Sequence, residues 1–145
     1  MNVTVEVAHR ATDELLQGIN HLLPQLSSSA PPLALSDLER LIEADAVTLL
    51  VATSDGSLVG TLTLVEFPIP TGVRTWIEDV IVDDRARGLG VGSALTIAAL
   101  DLARSRGART VDLTSRPSRE AANALYQRLG FERRETNVYR FQLDD

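Results

Sequence analysis

The stretch VDDRARGLGVGSAL, Val82 to Leu95, decides how this chain is read. Charged, turn-prone residues come first. Gly88, Gly90 and Gly92 then fall on alternate positions, and an apolar run follows. Asp83 and Asp84 are placed to end a strand, and Ser93 onward reads as a helix. Glycine at a helix mouth costs about 1 kcal/mol relative to alanine. Three of them imply that something comes close to the backbone there.

The chain has 145 residues, which predicts one domain, 1–145. An apolar fraction of 44% is ordinary for a packed globular core. No apolar run approaches a membrane-spanning length. The start, MNVTVEVAHR, has no basic flank before an apolar stretch and does not read as a signal peptide, so a cytoplasmic protein is expected. There is no cysteine, which excludes disulfides, thiolate metal sites and a cysteine nucleophile. His9 and His21 have no second histidine or carboxylate at ligand spacing, so no metal is expected. A formal net charge of −6 argues against nucleic acid or an anionic membrane as partner. Every basic side chain other than histidine is an arginine.

Around the glycines, the pattern predicts a β-α-α-β-β-β-α-β-α-β-β order. Alternation at Val3, Val5 and Val7 marks a first strand. Thr12 and Asp13 can cap a helix that stops near Pro24, and Ser36 and Asp37 can cap a second. Ala46–Thr53 and Leu58–Phe67 flank Asp55-Gly56, a hairpin signal, with Pro68 and Pro70 ending the second strand. Val73–Val82 is the next strand. A helix over Gly92–Ser105, a strand over Arg109–Ser115 and a helix over Arg119–Leu129 follow. Phe131–Glu135 and Val138–Leu143 read as a closing strand pair around Thr136 and Asn137. The strand–helix–strand unit around the glycines implies a parallel crossover, and hence a mixed sheet.

Three readings of the glycines compete. One is a turn with no ligand. A second is a nucleotide loop. A Walker loop needs lysine, which the chain lacks. A dinucleotide fingerprint needs its third glycine one place later, although Asp112 sits where a ribose-binding acid would. The third is a pyrophosphate cradle of another pattern. The first turn of a helix leaves N–H groups unpaired and carries partial positive charge. Glycines let a phosphate reach those amides, and Arg87 adds a forked donor.

RGLGVG, Arg87 to Gly92, resembles the Arg/Gln-x-x-Gly-x-Gly/Ala motif of the GNAT superfamily of N-acetyltransferases, which binds the pyrophosphate of acetyl-coenzyme A. IEDVIVDDRARGLGVGSAL resembles that family's fourth strand, loop and third helix. ALYQRLGF, Ala124 to Phe131, resembles its second signature, Leu-Tyr-x-x-x-Gly-Phe. The resemblance covers nearly the whole chain and is weak before Val73. It implies an α/β (α+β mixed), mainly antiparallel sheet of about seven strands, about four flanking helices and one parallel β-α-β crossover at the cofactor site. It implies cofactor contacts at Val80, Ile81, Val82, Arg87, Gly88, Leu89, Gly90, Val91, Gly92 and Ser93, and at Asn123. Two departures stand out. Asp84 replaces a frequent proline. Arg119 stands where the family often has asparagine, with Asn123 closer to the tyrosine. Arg85, Arg116 and Arg119 are further candidate contacts to phosphate or adenosine.

The resemblance also implies direct acetyl transfer from acetyl-CoA to a primary amine, without a covalent enzyme intermediate. An alkylammonium has a pKa of about 10, so a base must take its proton. By family likeness Glu78 lies on the strand beside the thioester and is the candidate base. Asp79, on the opposite face by strand alternation, reads as structural. Tyr126 holds the family's tyrosine position and is the candidate acid for the departing thiolate. The expected partners are coenzyme A and a small-molecule or peptide amine, with a homodimer through the last strands left open. A second class stays open: a non-catalytic acyl-CoA sensor or scaffold of the same fold. A dinucleotide-binding domain comes third.

Overall fold

The computed structural model describes residues 2–144; Met1 and Asp145, the outer limits of the expected domain, lie outside the described residues. The chain separates into two compact units, Met1–Thr114 and Ser115–Asp145.

The first unit is a five-stranded sheet in the order β1-β2-β3-β4-β5. Its strands are β1 (Thr4–Val7), β2 (Val47–Ser54), β3 (Ser57–Ile69), β4 (Gly72–Val82) and β5 (Thr110–Asp112). The first four pair antiparallel, and β4 pairs with β5 in parallel. Helices α1 (Asp13–Leu26), α2 (Leu35–Glu43) and α3 (Val91–Ser105) complete the unit. Ile19, Leu38 and Leu49 form a core with half-buried Val51 and Leu58 under α1 and α2. Ala52, of opposite phase to Leu49 and Val51, pairs with Gly60. At Gly60 an added Cβ would lie 2.8 Å from Val91 Cγ1 and 3.1 Å from Leu95 Cδ1. α3 therefore covers the other face.

Local chemistry explains most boundaries. The Thr12 hydroxyl accepts from Leu15 N at 3.1 Å and caps α1 as expected. α1 runs past Pro24 to Leu26, because the proline sits in the last turn and the Ser27 N–H still reaches Leu23 O. α2 starts before Ser36: its first-turn Asp37 accepts from Ala34 N at 3.1 Å. Pro68 does not end β3. Glu66 N reaches out to Ala46 O, and Pro68 occupies the next position on that side, beyond the end of β2, where no donor is required.

In the second unit, α4 (Glu120–Arg128) closes at Gly130, which takes a φ of 103°. The closing strand pair expected over Phe131–Glu135 and Val138–Leu143 is not formed. The described sheet has five strands rather than about seven, and residues 131–144 belong to no ladder. Alternation only says which faces a strand would have; the strand itself requires a partner's hydrogen bonds. The alternating apolar and aromatic side chains stand in the open, Tyr139 at 89% and Phe141 at 87% exposure.

Candidate functional site

The glycine loop is built between two anchors. Beyond β4, Asp83 N donates to Val59 O at 2.8 Å, and a 3-10 turn follows over Asp84–Ala86. The Asp83 side chain is buried. It accepts from Arg85 Nη2 at 2.7 Å, Arg85 Nε at 3.2 Å and the Arg85 backbone N–H at 3.1 Å. The hydrogen-bonded guanidinium holds the Asp83 carboxyl down to about 2, against the upward push of burial. α1 closes over the turn: His21 Nε2 lies 3.5 Å from the Asp83 carboxylate, and Asp84 N donates to Gln25 Oε1 at 2.9 Å. Arg85 is thereby committed to Asp83. Arg87 pairs with Asp84 at 2.9 Å, both side chains open to solvent.

Gly88 and Gly90 adopt φ of 83° and 80°, the left-handed region that favours glycine. Beyond the glycine itself and its two chain neighbours, no heavy atom lies within 4 Å of where a Cβ would stand at either position. Gly90 caps α3, and the first backbone bond of the helix runs from Ala94 N to Gly90 O at 2.9 Å. The N–H groups of Val91, Gly92 and Ser93 are those a first helical turn leaves without an intrahelical acceptor. The Val91 side chain is buried against Gly60, so what it presents to a ligand is its N–H. Leu89, at the lip, is exposed. Packed from beneath and open outside, the loop fits a pyrophosphate: backbone donors, a helix dipole and one exposed arginine.

β4 leads into this loop. Its ladder with β5 ends at Trp76 opposite Asp112, so from Ile77 to Val82 it pairs with β3 alone. On the β3 side the register slips by one residue, from Thr61–Ile81 to Thr63–Glu78. Asp79 carries a φ of 48° inside this bulge. The alternation that sets Asp79 opposite Glu78 does not carry across the bulge: both are exposed, and the side-chain phase resets beyond them. Val80 and Val82 are half-buried and Ile81 is buried. The Glu78 carboxylate accepts from the Trp76 indole N–H at 2.8 Å.

In the second unit, Tyr126 is buried, with its ring edge-on to Phe131 at 5.6 Å between centroids. Burial pushes its phenol above the ordinary tyrosine range, partly opposed by Arg119. The group stays protonated at neutral pH, as an acid must. Asn123 donates to Arg116 O at 2.9 Å and braces the segment before α4. Arg119 is the residue that opens that helix.

Sequence reasoning missed three features: the Asp83 node, the bulge at Asp79 and the Trp76–Glu78 bond. The third had a signal, since residues two apart on a strand share a face. The main partner of the first, Arg85, lies two residues on in the motif, while His21 and Gln25 come from α1 with nothing in the motif to announce them.

A profile of the acetyltransferase (GNAT) family matches residues 15–131, across the glycine loop and the tyrosine helix. The chain belongs to this family. It is 36% identical over 74 residues to N-alpha-acetyltransferase 30 of Schizosaccharomyces pombe, covering 51% of this chain and 49% of that one. It spans about half or less of the length of the first curated relatives it matches. Glucosamine 6-phosphate N-acetyltransferase of Trypanosoma brucei brucei is 34% identical over 119 residues, covering 77% of this chain and 79% of that one. Among solved structures, a putative acetyltransferase from Agrobacterium tumefaciens aligns with a TM-score of 0.85 at 25% identity, over 96% of this chain and 99% of that one. The mixed, mostly antiparallel sheet with one parallel pair and four α-helices is the GNAT fold.

Proposed function

We propose that this GNAT chain, read as a single domain over 1–145, is an N-acetyltransferase that moves an acetyl group from acetyl-CoA directly to a primary amine. The observation that carries the reading is the glycine loop, closed beneath by Gly60 and Val91 and open above Gly88 and Gly90. Acetyl-CoA would supply an acyl group already activated as a thioester. Arg87 and the N–H groups from Gly88 to Ser93 would hold its pyrophosphate. The β4 edge from Val80 to Val82, with no β5 neighbour, would take its pantetheine arm. Asn123 enters through the segment it braces.

Glu78 takes the proton that an ammonium must lose before its nitrogen has a lone pair to attack with. Tyr126 supplies a proton to sulfur as the carbon–sulfur bond breaks, and its raised phenol keeps that proton available. The chain has no cysteine, in keeping with direct transfer. The acceptor is a small-molecule or peptide amine, and the setting is the cytoplasm. The names of two relatives put glucosamine 6-phosphate and peptide N-terminal amines first in the panel to be tried. The exposed alternation of Tyr139, Phe141 and Leu143 supports a homodimer through the tail.

The test is calorimetry with acetyl-CoA, then thiol release across an amine panel. The cysteine-free chain adds no thiol background. Binding with amine-dependent thiol release is expected. Absence of binding overturns the reading. Binding without release on any amine turns it into the sensor alternative.

A further inference from the structure

We propose that Trp76 is a positioning residue for Glu78: its indole N–H holds one carboxylate oxygen and leaves the other to the amine. The inference rests on the reading of Glu78 as the base, and it goes beyond that reading by naming what orients it.

The two side chains stand two residues apart on β4 and therefore share a face. Trp76 Nε1 donates to Glu78 Oε1 at 2.8 Å. Their backbones are held unequally. Trp76 is paired on both sides, with Val65 of β3 and, as the last rung, with Asp112 of β5. Glu78 is paired only with Thr63, at the last regular position before the bulge, and its side chain is exposed. A carboxylate on a three-torsion stem at such a place would sample several rotamers. A donor fixed from both sides selects among them. An indole N–H is a donor only, so Oε1 is fixed as the acceptor and Oε2 remains free. The donor is also neutral. It orients the carboxylate without placing beside it the positive charge that an arginine would bring. The charged residues nearest along these strands are Asp79 and Arg74 on β4 and Asp112 on β5. None of them makes a side-chain hydrogen bond to Glu78 among the described residues.

The chain has a single tryptophan, so its fluorescence reports the surroundings of Trp76 alone. The first measurement is emission of the full chain from acid to neutral pH, for the wild type and for Glu78→Gln. The wild type is expected to show a step that Glu78→Gln lacks, with Asp79 and Asp112 present in both. Coincident curves overturn the contact. The second measurement is turnover of acetyl-CoA with glucosamine 6-phosphate as the amine probe. Trp76→Phe keeps a ring and removes the donor. It is expected to lower kcat about 3–10-fold, to leave KM for acetyl-CoA within about twofold, and to move the acid limb of the rate profile upward. Placed on Glu78→Gln, it should cost less than about twofold, since a residue acting through Glu78 has nothing left to act on. Equal costs in the two backgrounds overturn the proposal. Wild-type turnover by Glu78→Gln, with the fluorescence step intact, removes the base reading instead. Absence of the fluorescence step overturns the proposal whether or not the probe is turned over.

Discussion

The inner and outer sides of the glycine loop use the same residue types for opposite purposes. On the inner side, buried Asp83 locks Arg85, and Gly60 is glycine because Val91 leaves it no room. On the outer side, exposed Asp84 only rests against Arg87, and Gly88 and Gly90 are glycine because of their backbone and the space kept above them. Neighbouring Asp–Arg pairs thus differ in the burial of the aspartate and in the number of bonds it accepts: one is a structural clamp and the other a charge that can be exchanged. Residue type is a poor guide to role; what lies behind the residue decides it.

The largest effect should come from the outer side. Gly90→Asp places a carboxylate where the pyrophosphate approaches. We expect acetyl-CoA affinity to fall at least about a hundredfold, or roughly 2.7 kcal/mol, by calorimetry. The left-handed φ adds a modest loss of melting temperature. Unchanged affinity would erase the distinction between the two sides.

Gly60→Ala is the inner counterpart. The new methyl meets Val91 Cγ1 at 2.8 Å and Ile81 O at 2.9 Å, contacts that neither a stiff valine nor a backbone carbonyl yields easily. A cost of about 1–3 kcal/mol is expected, or about 3–10 °C in melting temperature. A variant as stable as the wild type would show that α3 is not pressed against β3.

Asp83→Asn should remove about 1–2 kcal/mol of stability near neutral pH, discounted for the exposed guanidinium. Its carboxyl sits at about 2 in the folded chain against an ordinary 3.8, so the unfolded chain takes up the proton first. The stabilisation is complete above about pH 4 and is lost as pH falls through about 2. Urea unfolding across that window should slope for the wild type and flatten for the variant. Equal slopes would demote the clamp.

Asp84→Asn should have the smallest effect, and in the opposite direction. Freeing Arg87 from an exposed pair should tighten acetyl-CoA binding about two- to fivefold at low salt, with little difference left at high salt. Weaker binding would mean that Asp84 positions Arg87 rather than competing for it.

The parts of this design written in local sequence were legible in advance. The glycine spacing, the capping Thr12, the Asp55-Gly56 hairpin and the closing Gly130 each act within a few residues. Features that depend on a distant partner were not. The bulge at Asp79 appears only when β3 supplies the register, and the cover over the Asp83–Arg85 pair comes from α1, more than 50 positions away, as in the Asp84–Gln25 bond. The last two expected strands fail for the same reason: residues 139–143 have the alternation and lack the ladder.

The two-sided loop also defines a contrast in amide exchange. The Asp83 and Asp84 N–H groups are bonded to Val59 and Gln25, while those of Gly88 and Gly90 donate to no backbone carbonyl among the described residues. Protection factors should therefore step down sharply over a few residues, from opening-limited exchange at the clamp to nearly solvent-limited exchange at the lip. A ligand seated on the lip would flatten that step. The loop would then carry its own occupancy gauge, readable by deuterium uptake without any knowledge of which amine is acetylated.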